Sequence, residues 1–302
     1  MHRKFAAWLS GNAWRAALFA ALFGILSPQG MSPVAVLAGA VPALIGLRVG
    51  VNAGVNAAVG GTAAVAALMI GAGQSWPITL GSALGLFWIP LGLAMLLRRS
   101  GSLNLVFQLA VLGALGVVGV IYAGMDDAAG QWRALLDDAG QAMVDAGLID
   151  DRRTVVDSLV SSNWGTYVTL WLLTIVCAVF VGRWWQSLLE APGAFGGEYR
   201  QLRFGKVLGI VAVAVMMIGL AGPKFGMSVP VVEAWMWVVI AGLAFQGLAA
   251  AHKLKAAGII GRAWLTAIYV LLVVPVSTQL IVTLLAGWGL ADNWRRVPAR
   301  GA

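Results

Sequence analysis

The sequence predicts an all-α, polytopic transmembrane helical bundle of eight or nine spans, with an extramembrane amphipathic helix in an acidic loop. Three observations carry that reading. Hydrophobic residues make up 60% of the chain and charged residues 11%, with a mean hydropathy of +0.87, so a soluble core of this size lacks the polar surface it would need. The apolar residues fall in long runs such as 207–220, which suit a solvent where each backbone N–H and C=O must be satisfied within its own segment. Many of the 14 tryptophans lie near run ends (Trp8, Trp14, Trp76, Trp164, Trp184, Trp185, Trp264, Trp288, Trp294), where an apolar ring with one polar N–H prefers to sit.

Taken in order, the apolar segments fall at 14–28, 33–49, 51–73, 76–97, 103–124, 165–184, 206–222, 229–251 and 262–288. The first two are short for a bilayer that needs about twenty residues per helix. Breakers separate the runs: Ser27-Pro28-Gln29-Gly30, Pro33, the 71–77 stretch, Pro223 and Pro230. Trp88, Trp171, Trp235 and Trp237 lie deeper and are expected to pack or to line a cavity. The run 16–26 has the length of a signal-peptide core, but no clear cleavage site follows, so it reads as a retained first helix.

Lysine and arginine set the orientation. With the N-terminus inside, the inner loops receive Arg3, Lys4, Arg15, Arg48, Arg98, Arg99, Arg183, Arg200, Arg203, Lys206, Lys253, Lys255 and Arg262. The outer side receives Arg133, Arg152, Arg153, Lys224, Arg295, Arg296 and Arg300. Thirteen against seven predicts a cytoplasmic N-terminus in a bacterial inner membrane. Nine spans, however, leave Arg295 and Arg296 outside, against the rule, so eight and nine both stand. The net charge of +8 belongs to helix ends and headgroup contacts, and points to the lipid bilayer and not to nucleic acid.

The extracytoplasmic insertion at 125–163 differs in character. It holds eight of the twelve acidic residues, among them Asp126, Asp127, Asp137, Asp138 and Asp157, against three arginines. Trp132, Leu135, Leu136, Ala139, Met143 and Ala146 recur at helical spacing, so an amphipathic helix capping the outer ends is expected. Nothing there matches a calcium loop.

Polar groups at membrane depth are costly and are the first functional candidates. Arg48, Asn52 and Asn56 share a face at i, i+4, i+8 if one helix runs through them. They read either as a ligand-binding face beside a glycine-permitted helix break or as an inside anchor with turn residues. Glu233 and Gln246, near opposite ends of one span, are the other ligand candidates, and Asn104 and Gln108 share a helix face. Ala13, Ala17 and Ala21 form a small-residue stripe for docking a partner helix or for internal packing. The cytoplasmic loop at 190–206 carries Glu198, Tyr199, Arg200 and Arg203, a candidate partner-docking surface whose glycine spacing is wrong for a phosphate loop. The single Cys177 and two histidines, His2 and His252, leave no disulfide or zinc set. No metal, cofactor or catalytic triad is expected, and the chain does not read as an enzyme.

Several stretches resemble the YybS-like family of uncharacterised bacterial membrane proteins. They are Glu198-Tyr199-Arg200-Gln201-Leu202-Arg203, Phe245-Gln246-Gly247-Leu248-Ala249, Tyr269, and Gly289-Leu290-Ala291-Asp292-Asn293-Trp294-Arg295. That family is in turn distantly similar to the substrate-binding components of energy-coupling-factor vitamin transporters. The resemblance implies a helical bundle with an outward-opening ligand pocket and a transmembrane or energising protein partner docked on the first helix. It maps no vitamin-binding motif onto this chain, which is longer than those components and carries the acidic insertion. Two functions stay open: a transporter-like component that binds a small molecule, and a non-transporting scaffold or assembly factor that recruits a protein. A lipid-modifying enzyme is a distant third, given the scarcity of acid and base groups.

Overall fold

The computed structural model describes residues 2–28, 32–153, 156, 159, 163–227 and 229–294. Asp157 of the acidic insertion and the tail arginines Arg295, Arg296 and Arg300 lie outside the described residues. The described chain is all helical. An N-terminal helix α1 (His2–Ser10) is followed by α2 (Ala13–Leu26), α3 (Pro33–Arg48), α4 (Val51–Gly71), α5 (Trp76–Ser100), α6 (Leu103–Gly124) and α7 (Ala128–Asp145). Then come α8 (Trp164–Glu190), the short α9 (Ala194–Tyr199), α10 (Gly205–Ala221), α11 (Pro230–Ala256), α12 (Arg262–Val273) and α13 (Pro275–Trp294). Six of these (α4, α5, α6, α8, α10 with its following turn, and α11) are long and apolar enough to cross a membrane, and the α1–α2 pair, bent by 115°, makes a seventh if counted as one span.

Capping follows from local sequence. Ser32 and Ser102 accept the N–H of Ala35 and Leu105, and Asn163 forms a reciprocal box with Thr166 at the start of α8. Inside α5, residues Leu84–Trp88 widen into a π-turn. There Gly85 accommodates the ring of Trp171, and Trp88 Nε1 donates to Thr62 at 3.0 Å. Trp235 Nε1 donates to the Leu115 carbonyl at 2.8 Å. Three of the four deep tryptophans thus serve packing, and Trp237 lines a cavity.

Two apolar clusters share α3, α5 and α8 as their seam. One gathers α1–α5 around Phe87; the other gathers α6, α8, α10, α11 and α13 around Phe107 and Phe204. Exposed apolar side chains such as Val207, Ile210, Met217 and Leu220 on α10 form the face that meets lipid. Helix α7 buries Ala128, Trp132, Leu136 and Gly140. Its i+4 stripe lies against Trp164 and Tyr167 at the start of α8. Leu135 and Ala139, expected on the inner face, are exposed, because the stripe runs one residue further round.

Contacts chain one end of the bundle together. Arg48 donates to Ser10 and pairs with Glu190 at 3.8 Å. Arg98 donates to the Gly46 carbonyl, Arg183 pairs with Glu198, Gly205 meets Asn293, and Lys253 pairs with Asp292 at 3.0 Å. Arg48, Arg98, Arg183, Arg203 and Lys253, all assigned to the inner loops, take part in these contacts or adjoin them. The segment expected as one span at 262–288 is two helices. Helix α12 leaves five residues after α11, and α13 returns to bond Lys253 and Gly205. Val274 and Pro275 are therefore the apex of a hairpin whose ends lie on one side. Helix α12, at about 18 Å, is too short to cross a core of about 30 Å.

Helices α11 and α13 cross where Gly247 faces the Leu285 carbonyl and Gly289 faces that of Leu243; a Cβ at either position collides with backbone. Gly247→Ala is expected to cost about 1–3 kcal/mol through forced separation of the two helices. Thermal unfolding in detergent checks this, with Gly92→Ala, where a Cβ meets nothing within 4 Å, expected to leave the midpoint in place.

Candidate functional site

Two polar arrangements stand out within the apolar bundle. The first sits at the basic end, where the chain between α9 and α10 has no helical partners for its backbone. Four side-chain amides supply them. Asn104 Oδ1 accepts the Arg203 N–H at 2.7 Å and Gln108 Nε2 donates to the Arg203 carbonyl at 2.8 Å. Gln246 Oε1 accepts the Phe204 N–H at 2.9 Å while its Nε2 donates to the Gly289 carbonyl at 2.8 Å. Asn293 accepts the Gly205 N–H at 3.0 Å and donates to its carbonyl at 2.9 Å. Around this clamp, Arg183 forks onto Glu198 at 2.9 and 2.5 Å. Tyr199, edge-on to Phe180 and His252, is buried, which pushes its phenol well above the usual range. His252 in turn meets the Tyr269 hydroxyl at 2.8 Å.

The stretches quoted for the family resemblance thus meet in space: 198–203, 245–247, Tyr269 and 289–293 all contribute to this clamp or its rim. Its polar groups are satisfied by one another, so it holds structure rather than offering free groups to a ligand.

The second arrangement is a cavity of about 760 Å3 between α8, the end of α10, α11 and the α12–α13 apex. Asn163, Thr166 and Glu233 line it at the end remote from the basic residues, and Ile240, Ala244 and Leu248 carry it inward along α11. Its wall is chiefly apolar. The apex contributes Leu272, Pro275, Thr278 and Gln279. Pro275 interrupts the helix, and the carbonyls freed there are taken by side chains: Ser277 Oγ donates to Leu271 at 2.8 Å and Thr278 Oγ1 to Leu272 at 3.0 Å. Thr169 is the exception. It is 8% exposed, lines the cavity, and its hydroxyl has no hydrogen-bond partner. A second groove of about 570 Å3, between α5, α6 and α8, is almost wholly apolar.

The residues singled out from sequence fall in different places. Helix α3 ends at Arg48, and Gly50 (φ 137°) separates it from α4, so Arg48 does not share a helix with Asn52 and Asn56. Both asparagines are exposed and Arg48 is an anchor for α1 and α8; none of the three borders either cavity. Glu233 lines the larger cavity and Gln246 faces away from it into the clamp. On α2, Ala16, Ala20 and Gly24 are buried; Ala17 and Ala21 are half-buried and Ala13 is exposed. Ala17 packs against Gly60 of α4, so this stripe serves internal packing in the monomer. In the loop, Glu198 and Tyr199 face inward, while Arg200 and Arg203 are half-buried.

Sequence reasoning missed Thr169, Thr166 and Gln279. A lone threonine in an apolar helix normally returns its hydroxyl to the carbonyl four residues back, as Thr174 does to Leu170, so nothing in the spacing marks Thr169. Among the described residues no group of three or more His, Cys, Asp or Glu is placed to hold a metal. Comparison with protein-family models, curated proteins and solved structures finds no match.

Replacing Gln246 by Leu leaves the Phe204 N–H buried without its partner and removes the additional bond to the Gly289 carbonyl. That is expected to cost about 1–3 kcal/mol, read as a lower thermal midpoint in detergent. Lys206→Ala, at an exposed neighbouring position, should leave the midpoint unchanged.

Proposed function

We propose that this chain is a non-enzymatic, multi-pass protein of the bacterial inner membrane that binds a small molecule in the cavity between α8, α11 and α13, as a substrate-binding or transport component. The observation that carries the reading is the cavity itself. It is of ligand size, chiefly apolar, with a few convergent polar groups, one of them the buried, unpartnered hydroxyl of Thr169. A helix interrupted at Pro275 borders it, and broken helices beside a substrate are a recurrent transporter device. The YybS-like resemblance, with its outward-opening pocket, points the same way. A scaffold would need the 190–206 loop free to recruit a partner; the tethering of 203–205 by four amides weighs for the binding role.

The basic end is cytoplasmic on this reading, with α1 lying along the inner surface and the cavity mouth facing outward beneath α7. Because α13 ends at the basic end of the bundle, beside Lys253 and Gly205, a reporter fused after Ala302 is expected to report the cytoplasmic side, as is one fused before His2. An external signal from the C-terminal fusion alone would reverse the hairpin assignment of α12 and α13.

Native mass spectrometry of the gently extracted protein tests the binding role. The expected result is a non-covalently held small molecule that Ala244→Trp, which fills the cavity, releases. A wild-type protein carrying nothing, or a variant that retains the same mass, would leave the scaffold reading in its place.

A further inference from the structure

The cavity's shape and chemistry narrow what it takes. From Glu233 to Leu248 it follows α11 for fifteen residues, about 22 Å at 1.5 Å per residue, which is most of the depth of a hydrocarbon core. A volume of about 760 Å3 drawn out along that length suits an elongated apolar occupant such as a hydrocarbon chain. Its deeper wall is Leu173, Ile240, Ala244 and Leu248, with no charged group to meet an ionic solute. Apart from Thr283, whose hydroxyl is returned to the Gln279 carbonyl, the polar side chains lie toward the mouth. Thr169 lies six residues into α8 from Asn163, about 9 Å below the mouth, and its hydroxyl waits for a partner. At the mouth stands the carboxylate of Glu233, with the amide of Asn163 and the hydroxyl of Thr166.

Resting on the binding role above, we infer that the occupant is an acyl-chain lipid of the outer leaflet with a hydrogen-bond-donating, non-anionic polar head. The chain fills the slot toward Leu248. An ester or hydroxyl oxygen near the head meets Thr169. An ammonium or hydroxyl donor meets Glu233, whose charge repels a head that is itself net negative.

Native mass spectrometry in detergent with two added probes tests this: dioleoyl phosphatidylethanolamine, which presents an ammonium, and dioleoyl phosphatidylglycerol, which is anionic. The wild type is expected to favour the ethanolamine lipid by about tenfold, the worth of one hydrogen bond to a charged group. Glu233→Gln, a conservative change at an exposed position, is expected to bring the two lipids to within about threefold. Thr169→Val should weaken both lipids alike, and Ala244→Trp should remove the bound lipid. Equal binding of both lipids by the wild type, or a preference unmoved by Glu233→Gln, overturns the inference by reducing the bound lipid to an unselective annulus. If instead a water-soluble molecule co-purifies and is lost from Ala244→Trp while neither lipid is affected, the lipid inference fails and the binding role survives. If Ala244→Trp changes nothing of any class, both fail.

Discussion

The backbone between Leu202 and Gly205 is the constraint on which the basic end is organised. A chain that leaves one helix and starts another at the edge of a membrane exposes N–H and C=O groups where water is scarce, and each unpaired group costs several kcal/mol in lipid. Here the groups of Arg203, Phe204 and Gly205 are met by amides from three separate helices: Asn104 and Gln108 on α6, Gln246 on α11, Asn293 on α13. An amide is the natural choice, since it offers donor and acceptor on one short stem. Satisfying a single turn therefore fixes the mutual positions of α6, α10, α11 and α13, helices of the second apolar cluster; three of them, α10, α11 and α13, also wall the cavity with α8.

Two further features depend on that fixed frame. The α11–α13 crossing needs backbone against backbone at Gly247 and Gly289, an approach available in lipid only through small residues, because burial of apolar surface gives no preference between a neighbouring helix and an acyl chain. Gln246 and the Gly289 carbonyl lie beside this crossing, so its hydrogen bond and the glycine contact support each other. At the far end of α13, Pro275 removes a donor and opens the helix, and Ser277 and Thr278 turn their hydroxyls back onto the freed carbonyls of Leu271 and Leu272. A break at membrane depth is tolerated where side chains re-satisfy it and where it lines a cavity, and both conditions hold here.

Hydropathy alone made the membrane class and most helices legible. The segment read at 103–124 coincides with α6, and those at 51–73 and 206–222 differ from α4 and α10 by one or two residues. The misreading at 262–288 has a simple cause: the run stays apolar on both sides of Pro275, so a sum over hydropathy passes through the break, although Pro275-Val276-Ser277-Thr278 carried a turn signal. The site was legible only in part. Asn104 and Gln108 were visible as a shared face at i, i+4, but their partner, the Arg203 backbone, lies about a hundred residues away in sequence and is invisible to local spacing. Arg48, Asn52 and Asn56 were grouped by a period that holds only in an unbroken helix, and Gly50 ends it. Glu233, which lines the cavity, was singled out because a carboxylate in an apolar span is conspicuous; Thr169 was not, because a hydroxyl there is ordinary.

The contrast between Thr169 and its neighbours is what gives the cavity its meaning. Thr174, one and a half turns further along α8, returns its hydroxyl to Leu170; Thr278 and Thr283 across the cavity do likewise to Val274 and Gln279. The local solution was thus available at every one of these positions and was taken at three. A buried hydroxyl without a partner costs about 1–3 kcal/mol, which a valine of nearly the same shape would avoid. The cost falls on the wall of a cavity that also carries a carboxylate at its mouth and the Pro275 break on its far side. On the proposed binding role, an occupant bearing an oxygen at that depth would partner the Thr169 hydroxyl, and that bond would favour it over the chains that the apolar wall admits alike.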